Sequence, residues 1–313
     1  MKPMSGVATL LIALSCCIGA PALAQPAKPS PASGIDTVFG AYQRGYFITA
    51  FNGATDLASK NDPQAMTMLG ELYANGLGVG RDDDKAAQWY QRAADRGDPQ
   101  AMFALAIFRF SGRGGPQDHA AGIKLFESAA GLGNFFAAYN LGLLYLRGQD
   151  VPQDFKRAAD LFQLSARGGV PEAQYALATL YKDGRGVAQS DAEAMRLMRQ
   201  AALGDNLDAM VEFSIAQFNG NGTAKDEVAA TALMRKAALR GSPIAQNRLA
   251  HILSAGRGVP ANPVEAMKWH LIARSDGRGD PDLDQYMGSQ KQEDRTAAEK
   301  AATRWLVSAP PRQ

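Results

Sequence analysis

Three histidines, two cysteines and a spread of carboxylates are the side chains of this 313-residue chain best suited to catalysis or metal binding. Their spacing argues against both. His251 stands on a stretch of helical periodicity with no cysteine or second histidine at metal-ligand spacing. His270 takes a position that elsewhere holds Tyr90, Phe126 and Phe162, which predicts a packing role, and His119 aligns with Asp83 and Asp191 in a loop. Nucleophilic catalysis needs a nucleophile, a base within reach and an orienting group, and no such set is proposed by the linear sequence. Asp82, Asp118, Asp154 and Asp226 recur at one position before a helix, where a carboxylate serves as an N-cap rather than as an acid or base. The pairs Gly76/Gly78, Gly184/Gly186 and Gly256/Gly258 have the composition of a phosphate loop, but they follow helices instead of opening them. They are expected to terminate helices. No catalytic residue, cofactor or metal is assigned, and the chain is expected not to be an enzyme.

These residues sit on elements that recur. Ala65, Ala101, Ala137, Ala173, Ala209 and Ala245 are each 36 residues after the last, and Gly76, Gly112, Gly148, Gly184, Gly220 and Gly256 follow in the same phase. A fixed period of this length marks units that bury their apolar faces only by stacking on one another. Within one unit, Ala65, Leu69, Leu72 and Tyr73 fall at helical spacing and predict a first helix, A, from Pro63 to about Asn75. Asp62 is its expected N-cap and Gly76 its left-handed terminator. Ala86, Trp89, Tyr90, Ala93 and Ala94 predict a second helix, B, that stops at Gly97. The position of Gly70 is always small (Ala106, Gly142, Ala178, Ser214, Ala250), which lets helix A approach helix B closely.

The ends read differently. Lys2, the apolar run Val7 to Ile18 and Ala22-Leu23-Ala24 form a signal-peptide pattern over residues 1–24, with cleavage after Ala24, in a run shorter than the roughly 20 residues of a membrane span. Lipoprotein anchoring at Cys17 is the weaker alternative, because Leu14-Ser15-Cys16-Cys17 fits a lipobox poorly. Both cysteines leave with the signal, so no disulfide is expected. Residues 25–34 are expected to be a disordered linker, 35–64 an N-terminal capping half-repeat and 65–280 the six repeats. A C-terminal capping helix at 281–307, with Ala298, Ala301 and Trp305 as its apolar stripe, and a disordered tail at 308–313 complete the layout. With 33 basic and 31 acidic residues the net charge is +2, which gives no basic face for nucleic acid and no polybasic membrane anchor. A periodic array after a signal peptide predicts a periplasmic or secreted protein, with no membrane insertion once the signal is cleaved.

The pattern from Ala65 to Gly97, with Leu69-Gly70, Tyr73, Gly76, Gly78, Val79, Trp89-Tyr90 and Ala93-Ala94, resembles the Sel1-like repeat family, relatives of tetratricopeptide repeats. Ala137 to Gly169 and Ala173 to Ala202 are similar to it as well. The second, fifth and sixth copies depart from it, with Arg109, Gln217 and Leu253 in place of the tyrosine. The resemblance implies an all-α fold, a right-handed superhelical α-solenoid of antiparallel helix pairs. It also implies a role in binding other proteins, often in bacterial envelope or exopolysaccharide signalling. Cysteine-rich relatives have been linked to β-lactam binding or hydrolysis, but their paired cysteines are missing here and that activity is not carried over.

If the tetratricopeptide geometry holds, residues at i, i+4 and i+7 of helix A line a concave face. In the middle repeats that face carries Phe103, Ile107, Phe110, Tyr139, Leu143 and Leu146, then Tyr175 in the fourth and Ile215 and Phe218 in the fifth. Asn247, His251 and Ser254 follow in the sixth. Apolar residues with nothing over them mark a partner site, so these predict a groove for an amphipathic helix or extended peptide of an envelope protein. The competing expectation is that curvature buries them as ordinary core. A cell-wall glycan stacked on Phe103, Tyr139 and Tyr175 is the alternative ligand, and a cell-wall or β-lactam hydrolase a more distant one.

Overall fold

A computed structural model describes residues 34–308, so the segment read as a signal peptide, both cysteines, and the expected linker and tail apart from Gly34 and Ser308 lie outside the described part. Sixteen α-helices and no strand occur among the described residues. The chain divides into two compact units between Ser165 and Ala166. In the first, α1 (Gly34–Gln43) and α2 (Phe47–Ser59) precede three pairs: α3 (Pro63–Asn75) with α4 (Asp83–Ala94), α5 (Pro99–Ser111) with α6 (His119–Gly131), and α7 (Phe135–Arg147) with α8 (Phe155–Arg167), which reaches the boundary. The second holds α9 (Pro171–Asp183) with α10 (Asp191–Leu203), α11 (Leu207–Asn219) with α12 (Glu227–Leu239), and α13 (Pro243–Ala255) with α14 (Pro263–Ser275). It ends in α15 (Pro281–Ser289) and α16 (Gln292–Ser308). Residues 281–307 are therefore two helices, split by an extended Gln290, and not the single capping helix expected.

The sequence dictates where each helix starts and stops. Asp62, Asp98, Asn134, Asn206 and Ser242 cap the A helices, each accepting from the backbone N–H three residues on. Asp82, Asp118, Asp154, Ser190, Asp226 and Asn262 do the same for the B helices. Val170 takes the cap position of α9 with no side-chain bond to offer, and is buried instead. All six A helices end on a glycine in the left-handed region, from Gly76 at φ 68° to Gly256 at φ 67°. The close A–B approach is also as expected: a Cβ on Gly70 would sit 2.5 Å from the Tyr90 ring, and one on Gly142 2.7 Å from Phe162.

Gly78 and Gly258, the second glycines of their pairs, do something else. A Cβ on Gly78 would lie 2.6 Å from the backbone of Phe47, at the start of α2, and one on Gly258 would lie 2.5 Å from the Glu227 carbonyl oxygen at the start of α12. These glycines are where the A–B loop of one repeat rests on the first turn of the preceding B-type helix. A side-chain staple accompanies the contact. Arg113 donates through Nη2 and Nε to both oxygens of Asp83, at 2.7 and 3.1 Å, and lies over the Phe108 ring at 4.3 Å. Arg257 repeats the motif on Glu227 at 2.7 Å. His119 and Asp150, 2.6 Å apart, make a similar helix-to-loop contact with the carboxylate on the loop side.

Hydrogen bonds from Arg113 and then Arg81 hold the Asp83 carboxyl well below its usual range. A depressed carboxylate stabilises the fold above the unfolded value of about 4, and that contribution is lost as pH falls below it. Asp83→Asn should cost about 1 kcal/mol at neutral pH. Urea unfolding of the two chains should show the gap narrowing from about pH 5 downward. A gap that stayed constant with pH would assign the loss to something other than the ion pair.

Candidate protein-binding surface

The apolar positions of helix A meet different fates in the two units. In the first, Phe103, Ile107, Phe110, Tyr139 and Leu143 are each less than a tenth exposed, and only Leu146 is half-buried. Phe103 lies against Phe126 and Phe136, with ring centroids 5.9 and 6.2 Å away. Phe110 stacks on Phe126 at 5.5 Å and touches the His119 ring at 4.8 Å. Tyr139 packs on Phe162 at 5.8 Å. The expected open groove is thus corrected over these five residues, which are core. Aromatic side chains on α6, α7 and α8 supply the cover that the i, i+4, i+7 rule leaves out. The sugar-stacking alternative loses Phe103 and Tyr139 for the same reason.

In the second unit Tyr175, Ile215 and Phe218 are half-buried, like Leu146, and so less covered than the five core residues of the first. Burial raises the Tyr175 hydroxyl above its ordinary range, and the carboxylate of Glu212, which accepts its proton at 2.8 Å, adds to the rise. Glu212 also faces Lys182, 3.3 Å away. Two cavities flank Ile215. One, of about 480 Å³, lies among α9, α10 and α11, with Lys182, Met195, Glu212 and Asn221 in its wall. The other, of about 300 Å³, lies among α11, α12 and α13, where Phe218, Met234, Arg248, His251 and Arg257 join Ile215. Met234 and Arg248 are not on the face read from the sequence. The sequence does carry a signal for Met234: methionine stands at 198 and 234 where the first three repeats place Tyr90, Phe126 and Phe162.

The polar end of that face is engaged within the protein. Asn247 donates to Asp280 at 3.0 Å and His251 Nε2 lies 2.8 Å from the same oxygen. The Asn247 bond, ahead of that from His251, holds the Asp280 carboxyl well below its usual range. Ser254 donates to the backbone oxygen of His251, so its hydroxyl is not directed at the imidazole as a nucleophile would be. His270 is buried with Nε2 2.8 Å from Asp284, a packing position as expected. Among the described residues no group of three or more His, Cys, Asp or Glu side chains is placed to hold a metal ion. No helix there is long and apolar enough to cross a membrane.

Apart from Val228 on α12, the exposed large apolar side chains of the repeats lie elsewhere, around the turn from helix B to the next helix A. Leu132, Phe135 and Phe136 form such a set in the first unit, and Leu203, Leu239 and Ile244 occupy turns in the second. Periodic reading of helix A alone does not reach them.

Stacked antiparallel helix pairs that bury their aromatic rings between neighbours and leave apolar notches on one face define a helical-repeat protein of the solenoid class. The chain belongs to the Sel1 repeat family, whose repeat matches residues 63–98, 99–134, 136–170, 171–206, 208–242 and 243–277. It is similar to a Sel1 repeat protein from Oxalobacter formigenes, with 28% identity, a TM-score of 0.70 and coverage of 77% of this chain and 99% of that one. A protective antigen of uropathogenic Escherichia coli displaying an SLR fold is 26% identical, with a TM-score of 0.55 over 90% of this chain and 70% of that one. No curated protein matches the chain. Sel1 repeat proteins generally act by binding other proteins, and the family is typically non-enzymatic.

Proposed function

We propose that this chain is a non-enzymatic scaffold or regulator of the bacterial envelope, exported to the periplasm and binding a segment of another envelope protein. The observation that carries the reading is the half-buried row of Tyr175, Ile215 and Phe218, with a cavity on each side of Ile215. Side chains of this kind anchor peptides when they sit beside notches that accept the partner's own apolar residues. The signal-peptide pattern of residues 1–24 supports export, and the near-neutral charge fits a protein partner better than nucleic acid. Envelope or exopolysaccharide signalling is the setting proposed for it.

The test is cross-linking in intact cells followed by purification of the chain from the periplasmic fraction. Ile215→Glu with Phe218→Glu should reduce the cross-linked partner about ten-fold, as loss of an anchor does, while the helical circular dichroism stays unchanged. Glutamate at Ile107 or Leu143 would not test the same point, because both are buried and the change would unfold their repeat. Capture that survives the double change, or a chain recovered only from the cytoplasm, would refute the reading.

A further inference from the structure

The cavity among α11, α12 and α13 has a counterpart in the second repeat that is filled, and three repeat positions account for the difference. There, the Phe110 ring lies on Phe126 in the space beside Gly122, where a Cβ would come within 2.6 Å of it. Three repeats later the same positions hold Phe218, Met234 and Ala230. The methyl group of Ala230 stands where Gly122 leaves room, and Met234 offers no flat ring to stack on. Phe218 therefore packs less deeply, half-buried beneath the Arg257 guanidinium at 4.6 Å, and about 300 Å³ is left open.

The floor of this cavity is apolar and its rim is cationic. Arg257 is committed to Glu227 at 2.7 Å, and His251 to Asp280 at 2.8 Å. Arg248 is exposed on the rim and makes no hydrogen bond or ion pair among the described residues. A planar guanidinium held beside an apolar notch is matched by a carboxylate carried next to an apolar side chain. We propose that this cavity is a binding pocket for a partner-protein segment in which a large apolar residue adjoins Asp or Glu. The apolar group fills the space between Ile215, Phe218 and Met234, and Arg248 takes the carboxylate. The assignment rests on the scaffold reading for its partner but not for its geometry.

Fragments separate the two. 4-Phenylbutyrate, 4-phenylbutanamide and 4-phenylbutylamine share a ring and differ in head-group charge, and each is titrated into the full chain labelled at Ile and Met methyl groups. The acid should shift the Ile215 and Met234 methyl resonances saturably, and leave that of the exposed Ile48 in place. The amide should bind about ten-fold more weakly, and the amine more weakly still. Arg248→Gln, a surface change, should erase the preference for the acid over the amide. Ala230→Gly should let Phe218 fold inward and weaken all three. No methyl shift, equal binding of acid and amide, or a preference that survives Arg248→Gln would each overturn the pocket. Partner capture without any fragment binding would refute the pocket and leave the scaffold standing. Acid-selective binding in a chain that captures no protein would keep the pocket and remove its protein partner.

Discussion

Gly114→Ala is expected to destabilise the protein by about 3 kcal/mol, and Gly97→Ala by about 1 kcal/mol, although both glycines sit in loops at positive φ. The backbone of Gly97, at φ 82°, has nothing within 4 Å of a hypothetical Cβ, so alanine there meets only the intrinsic cost of the left-handed region. Gly114, at φ 61°, carries the same cost and a second one. Its Cβ would collide with the backbone carbonyl oxygen of Asp83 and lie 2.6 Å from the Ala87 Cβ, atoms of an α4 first turn that cannot swing aside. The Arg113 staple on Asp83 is one residue away, so relief by separating the loop from α4 also stretches that ion pair. Nearest-neighbour interfaces supply much of the stability of a repeat array, and the damage falls on one of them. Thermal unfolding should show a midpoint lowered by roughly 10 °C for Gly114→Ala and by a few degrees for Gly97→Ala. Equal effects of the two substitutions would mean that the loop does not bear on the preceding helix.

That contrast also marks what sequence could and could not reveal. The first glycine of each pair follows a run of helical periodicity, so its role as a terminator is written in its immediate neighbours. The second, at Gly78, Gly114 and Gly258, touches a helix some thirty residues earlier, and nothing local distinguishes it from a second turn residue. The same division runs through the helix A face. The caps, the A–B approach at Gly70 and Gly142, and the phase of all six repeats follow from spacing. Whether a ring on helix A is buried depends on the residue that faces it from helix B. Phe110 is core because position 122 is glycine and position 126 is aromatic. Phe218 is only half-buried because the matching residues are Ala230 and Met234. Asn247 and His251 were legible as polar residues on that face, but their partner Asp280 lies past the last matched repeat, which ends at 277.

The end of the array shows the same logic in its substitutions. The position held by Ala94, Ala130, Ala166, Ala202 and Ala238 becomes Arg274, and it donates to Asp284 on α15 at 3.0 Å in place of packing against a further repeat. On α16 the buried residues are Ala298 and Ala302, with Trp305 completing the stripe, and Ala301 sits at its margin instead of within it. Spacing by four and then three residues keeps these groups on one face of the helix, and that face lies on α14.

Trp269→Ala is therefore expected to do more than empty one site. The indole is buried, its Nε1 donates to Glu265 at 3.2 Å, Lys268 lies over its ring at 4.2 Å, and Trp305 meets it edge to face at 5.9 Å. Truncation of a buried tryptophan costs about 3–5 kcal/mol through lost burial and the cavity left behind. Here the cavity also removes part of the surface on which α16 docks through Trp305. Trp305→Ala should cost about 1–2 kcal/mol, since that ring is already part exposed. The double substitution should cost less than the sum of the two, by about 1 kcal/mol, because either single change breaks the same ring contact. Emission from Trp305 in the Trp269→Ala chain should move to the red as its ring enters water, with Trp89, in the first unit, as the internal reference. A chain that unfolds in urea within 1 kcal/mol of the parent and keeps its emission maximum would show that α16 is held by its alanines alone.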